Sequence, residues 1–164
     1  MNRLWDASVR ELASGVVREH AALLVWEHES LRLTNIVEGT EDDDYQLATG
    51  QQFVGTFHTH PYVMGLMGMA FSGADIATAL FYRENLSVVH SGNLIVAMTR
   101  TELTPKFFDT GAIERSAKAL FENYRRAFPL QAAVLKMNRL LCEQYNFGFY
   151  GGDISGQLHL EFRP

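Results

Sequence analysis

The chain has 164 residues, 47% apolar and 20% charged, a balance that supports one folded core and excludes wholesale disorder or a low-complexity fibre. Its 14 Lys and Arg stand against 19 Asp and Glu, a net charge of −5, so the broad basic footprint of a nucleic-acid binder is missing. No stretch approaches the roughly 20 apolar residues of a membrane span, and Met1-Asn2-Arg3-Leu4-Trp5-Asp6 lacks the apolar run of a signal peptide, so a cytoplasmic location without nucleic-acid or membrane partners is expected.

In chain order, Asp6 or Ser8 is placed to cap a first helix, with Val9, Leu12, Ala13 and Val16 at helical spacing until Gly15 and the pair Val16-Val17 weaken it. Ala21 to Trp26 and Leu31 to Val37 read as a hairpin split by Glu27-His28-Glu29-Ser30. Glu41-Asp42-Asp43-Asp44 lacks the Asp-x-Asp-x-Asp-Gly pattern of a calcium loop and reads as a solvated loop. Phe53 to His60 is the next strand, ended by Pro61, and a Met- and Gly-rich segment then leads to a helix starting near Ser72. Leu86 to Val89 and Leu94 to Met98 flank the turn Ser91-Gly92-Asn93 and predict a second hairpin. Two helices are expected within Pro105 to Phe128 and from Leu130 to Tyr145, broken at Pro129. Cys142 falls in the apolar pattern of the second, as a small core residue. Gly151-Gly152 and Ser155-Gly156 punctuate a closing pair, Phe147 to Tyr150 and Gln157 to Phe162. Helices and strands interleave without strict alternation and without internal repeats, which predicts a mixed α+β (α/β) fold in one domain over residues 1–164.

The segment that carries chemistry is His58-Thr59-His60-Pro61 followed by Ser72-Gly73-Ala74-Asp75. Side chains two apart on a strand share a face, so His58 and His60 present their imidazoles side by side. A carboxylate from the first turn of the next helix would complete a His-His-Asp set, and three protein ligands leave zinc an open position for water. Each motif alone has a plain structural reading: two polar residues on an exposed face, and a capping box in which Ser72 accepts a backbone N–H. Their ordered combination is rarer, and capping does not compete with metal binding.

This combination resembles the JAMM (JAB/MPN) metalloproteases, whose pattern is an upstream Glu, then His-Ser/Thr-His-Pro, then Ser-x-x-Asp. Glu19-His20-Ala21-Ala22-Leu23-Leu24-Val25 is similar to the family's Glu-bearing segment, Val88-Val89-His90-Ser91-Gly92 to its later strand and turn, and Tyr145 to Leu160 to closing segments of bacterial members. The resemblance implies a central mixed sheet flanked by helices, in a layout like that of cytidine deaminases. It further implies that His58, His60 and Asp75 bind Zn2+, that Glu19 is the general base taking a proton from the attacking water, and that Ser72 stabilises the oxyanion. Glu27, Glu29 and Glu38 also lie upstream and remain alternatives to Glu19. His20, His28, His90 and His159 are expected to be structural or at the surface, and His20 is expected to point to the strand face opposite Glu19.

Implied with the family is hydrolysis of an amide or isopeptide bond at the C-terminus of a ubiquitin-like protein, in precursor processing or deconjugation, beside operon-encoded activating and conjugating enzymes. Rival readings are a non-catalytic MPN-like interaction scaffold and a peptidase domain of a toxin or phage system acting on other peptides. Pro61 to Ala74 is fourteen residues, against about ten usual in the family, an insertion that a loop absorbs at small entropic cost. Phe71 also replaces the frequent Pro before the Ser. The apolar, Gly-containing segment Tyr62 to Phe71 is expected to act as a mobile flap that holds the substrate's extended tail by strand addition.

Overall fold

The period-two runs become strands in this computed structural model, which describes residues 2–38, 47–61, 70–155 and 157–164. They are β1 (His20–Glu27), β2 (Ser30–Glu38), β3 (Gln52–Thr59), β4 (Leu86–Ser91), β5 (Leu94–Thr99), β6 (Gly148–Asp153) and β7 (Leu158–Phe162). All seven join one mixed sheet in the order β2-β1-β3-β4-β5-β6-β7. Every neighbouring pair is antiparallel except β3 with β4. A parallel pair needs a crossover, and the crossover here contains α2 (Gly73–Phe81). The chain therefore leaves the C-terminal end of β3, which carries the two histidines, and returns at the start of α2, which carries Asp75. Ends of strands joined in this way are where mixed sheets build binding sites.

The remaining helices are α1 (Asn2–Ser8), α3 (Thr110–Ala127) and α4 (Leu130–Gln144). Alternation divides the strand residues between two cores. On one face Val89, Val96, Met98 and Phe149 pack with Phe71 and with Ile76, Ile113 and Leu141 of α2, α3 and α4. On the other, Val88, Ile95, Phe57 and Leu24 pack with Leu4 of α1. Phe57 and Phe71 are completely buried, each a contribution of about 1.5–3 kcal/mol from apolar area removed from water. Asp109 caps α3 by accepting the Ala112 N–H, and Pro129, with no N–H to satisfy, opens α4. Cys142 is fully buried in the helix-side core, and that burial pushes its thiol pKa up.

Three expectations need correction. The first helix is neither capped by Asp6 or Ser8 nor continued through Val16: it ends at Ser8, and Leu12–Ser14 forms only a 3-10 turn before Gly15 at φ 78°. Leu4 buries the first turn against the sheet, while the Ser8 side chain is drawn into buried hydrogen bonds with β1 and β3. The first hairpin turns on two residues rather than four, with His28 and Glu29 both at positive φ (47° and 59°), a local twist that suits tight antiparallel pairing. Gly151-Gly152 does not break the closing pair but lies inside β6, opposite His159 and Leu158. A Cβ on Gly152 would stand 2.1 Å from the Gln157 carbonyl oxygen, so β7 approaches closer than any side chain allows. The acidic run 41–44 and the segment Tyr62 to Met69 of the expected flap lie outside the described residues; Ala70 and Phe71, at its end, are fully buried. Among the described residues, no helix is long and apolar enough to cross a membrane.

Candidate metal centre

His58 and His60 occupy the helix-side face at the end of β3, their ring centroids 4.7 Å apart, while Thr59 between them points to the α1 side. Three hydrogen bonds fix His60. Its N–H donates to the His90 carbonyl at 2.9 Å, its carbonyl accepts from Ser91 Oγ at 2.6 Å, and its Nδ1 lies 2.9 Å from the Ala70 carbonyl. A carbonyl only accepts, so Nδ1 carries the proton and Nε2 keeps its lone pair for the site. Burial, then the neighbouring His58, holds the His60 pKa down at about 4, so the ring is neutral at physiological pH.

Asp75 arrives from the first turn of α2 with Ser72 as N-cap. Ser72 Oγ accepts the Asp75 N–H at 3.2 Å and Asp75 Oδ2 accepts the Ser72 N–H at 2.6 Å, a reciprocal capping box. The same carboxylate faces the histidines, Oδ1 at 3.2 Å from His58 Nε2 and Oδ2 at 3.8 Å from His60 Nε2. Burial would raise the Asp75 pKa, but His58 beside it outweighs burial and holds the carboxyl well below the usual range. Burial would likewise lower His58, and Asp75 overcomes it, leaving that pKa above its ordinary value. Despite this proximity, His58 Nε2 is buried without an aligned hydrogen-bond partner.

Glu19, just before β1, completes the rim, with Oε1 4.0 Å from His60 Nε2; burial raises its pKa. The alternative glutamates are placed elsewhere. Glu27, at the far end of β1, accepts from Gln51 and faces Arg32, Glu29 is in the hairpin turn, and Glu38 pairs with Arg18. Of the other histidines, His20 and His90 are buried, His90 beside Trp5 with ring centroids 4.8 Å apart, and His159 is exposed on β7.

His58, His60 and Asp75 each offer a ligand atom, all within 4.8 Å of one another, close enough to hold a metal ion. Tetrahedral ligands at the 2.0–2.2 Å typical of zinc sit about 3.3–3.5 Å apart, a spacing the 3.2 and 3.8 Å contacts straddle. A buried ring nitrogen without an aligned hydrogen-bond partner, a second ring whose Nε2 is free of its proton and a carboxylate beside them are donors of the kind that hold a metal ion.

Behind the site lie residues that sequence reasoning missed. Glu84 is buried below Thr56 of β3, its Oε2 accepting from Thr56 Oγ1 at 2.9 Å and from Ser87 Oγ. Only the shared face of Thr56 and His58 hints at it, because Arg83-Glu84-Asn85 reads as a solvated turn. Asn138 of α4 accepts the Phe71 N–H at 2.8 Å and donates to the Phe71 carbonyl at 2.9 Å, fixing the peptide just ahead of Ser72. No protein-family model matches the chain, and no curated protein matches it.

Proposed function

We propose that this chain is a zinc-dependent peptidase of the JAMM type, hydrolysing an amide or isopeptide bond at the C-terminus of a ubiquitin-like protein. The observation that carries the reading is the convergence of His58, His60 and Asp75 within 4.8 Å with Glu19 at their rim, in the same order as the motif the sequence resembles. Three protein ligands leave an open coordination position, the mark of a catalytic rather than a structural site. A bound zinc ion would lower the pKa of water from about 15.7 toward about 7 and polarise the scissile carbonyl.

The chain's own residues supply the rest. Glu19, its side chain 16% exposed and its pKa raised by burial, takes a proton from the attacking water and returns it to the leaving amine. Ser72 Oγ is held as acceptor in the helix cap, and its own proton is directed to the carbonyl oxygen on which charge develops. The partner in this reading is a ubiquitin-like protein or its conjugates, accompanied by activating and conjugating enzymes.

The test is incubation with ubiquitin-like proteins carrying a C-terminal extension or an isopeptide-linked adduct, with zinc added or chelated. Cleavage that zinc restores and that Glu19→Gln abolishes is the expected result. Intact substrates with a fully metal-loaded chain would refute the reading.

A further inference from the structure

We propose that Thr59, His20 and Ser8 form a positioning cluster that fixes Glu19 against the metal ligands, an inference that rests on the peptidase reading above. Thr59 stands between His58 and His60, yet its side chain works on the opposite face of the sheet. Its Oγ1 accepts the His20 N–H at 2.9 Å. That N–H belongs to the peptide plane whose carbonyl is Glu19's. Pairing of β1 with β3 starts at Ala21 opposite His58, so the Glu19-His20 peptide lies beyond this ladder. The Thr59 hydroxyl takes the place of the missing rung.

Ser8 and His20 orient that hydroxyl. Ser8 Oγ lies 2.6 Å from Thr59 Oγ1, 3.0 Å from His20 Nδ1 and 3.0 Å from the Leu4 carbonyl, and His20 Nδ1 is also 3.3 Å from the Arg18 carbonyl. Carbonyls only accept. One assignment satisfies the closest contacts: Ser8 donates to Leu4, His20 Nδ1–H donates to Ser8 and Arg18, and the Thr59 hydroxyl donates to Ser8 while accepting from the His20 N–H, which leaves only the longer approach of Thr59 Oγ1 to the His20 carbonyl, 3.4 Å, without a proton. All three residues are buried, so water does not compete for these bonds.

The consequence is a rigid link between base and ligands. Any displacement of Thr59 moves His58 and His60 with it, and the Glu19 peptide follows through the hydroxyl. Misplacement of a catalytic group by about 1 Å is enough to lose roughly a hundredfold in rate. Thr59 and His20 are positioning residues here, and α1 enters the apparatus through Ser8.

The experiment compares Thr59→Val, Thr59→Ser, Ser8→Ala and Glu19→Gln with the unaltered chain, using a cleavable ubiquitin-like substrate. Thr59→Val is expected to lower kcat roughly ten- to a hundredfold with KM within about twofold and metal content unchanged. Thr59→Ser should recover most of the loss, and Thr59→Val should add little in a Glu19→Gln background. Independently of activity, the His20 amide should exchange slowly and its ring show the Nδ1–H tautomer by NMR, both lost in Thr59→Val. Ser8→Ala, which leaves β3 intact, covers a Thr59→Val chain that fails to fold, and should show the same kcat-specific loss in milder form. Full activity in Thr59→Val, loss additive with Glu19→Gln, or failure of Thr59→Ser to rescue would overturn the inference while leaving the peptidase reading standing. A metal-loaded, unaltered chain that cleaves nothing would overturn both.

Discussion

Glu19 and His60 face each other across 4.0 Å, carboxylate Oε1 opposite ring Nε2. That span exceeds a direct hydrogen bond, so Glu19 stands at the edge of the ligand set and leaves the His60 Nε2 lone pair free. Glu19→Gln is therefore expected to lower turnover roughly 10²- to 10⁴-fold while folding and metal content survive. Single-turnover kinetics beside metal analysis check this. If Glu19→Gln stays active and a change at Glu27, Glu29 or Glu38 does not, the base has been misassigned.

The ligand set predicts one zinc per chain. His58→Ala, His60→Ala and Asp75→Ala should each purify with little metal, and Asp75→Ala should also melt lower, because its carboxylate closes the capping box with Ser72. Elemental analysis after purification without added zinc decides the matter: full occupancy in the variants would eliminate the site.

Ser72→Ala separates two roles held by one hydroxyl. Loss of the cap should cost about 1 kcal/mol of stability, and loss of the oxyanion donor should lower kcat by roughly 10²- to 10³-fold. Denaturant titration and kinetics on the same preparation distinguish them. A stability loss without a rate loss would confine Ser72 to the helix start.

Glu84 predicts a pH dependence. Burial raises its pKa above the ordinary range, opposed by hydrogen bonds from Ser87 and Thr56, so the folded chain holds this proton more tightly than the unfolded one. Its contribution to stability is therefore complete below the unfolded value of about 4.3 and is lost as pH rises through the raised folded value. Glu84→Gln removes the titration. In metal-stripped protein, the melting temperature of the variant relative to the unaltered chain should climb as pH rises from the unfolded value through the raised folded one; a constant difference would show that Glu84 does not titrate in this way.

Features written in local pattern were legible in the sequence. The hairpins of β1-β2 and β4-β5, the Ser72 cap and the shared face of His58 and His60 follow from alternation, turn residues and cap spacing. Features made by distant chain were not. The first helix stops at Ser8 because partners 12 and 51 residues away, His20 and Thr59, claim its side chain. Gly151-Gly152 has the look of a break, yet both continue β6, and at Gly152 it is the close approach of the Gln157 carbonyl that requires glycine. The alternation of β1 sends His20 away from Glu19, but nothing near it in sequence names its partners. Glu84 is hidden for the same reason: its neighbours Arg83 and Asn85 belong to a turn, and only the fold turns the residue inward.

The paired hydrogen bonds of Asn138 to the Phe71 backbone, with the His60 ring on the Ala70 carbonyl, act as a clamp just ahead of α2. Ala70 and Phe71, on the approach to α2, are held by the ligand ring itself and by α4. The start of α2, and Asp75 in its first turn, is thus seated from two sides, by a helix distant in sequence and by a fellow ligand. A change at Asn138 would accordingly reach the carboxylate through the backbone of Phe71 while touching no ligand.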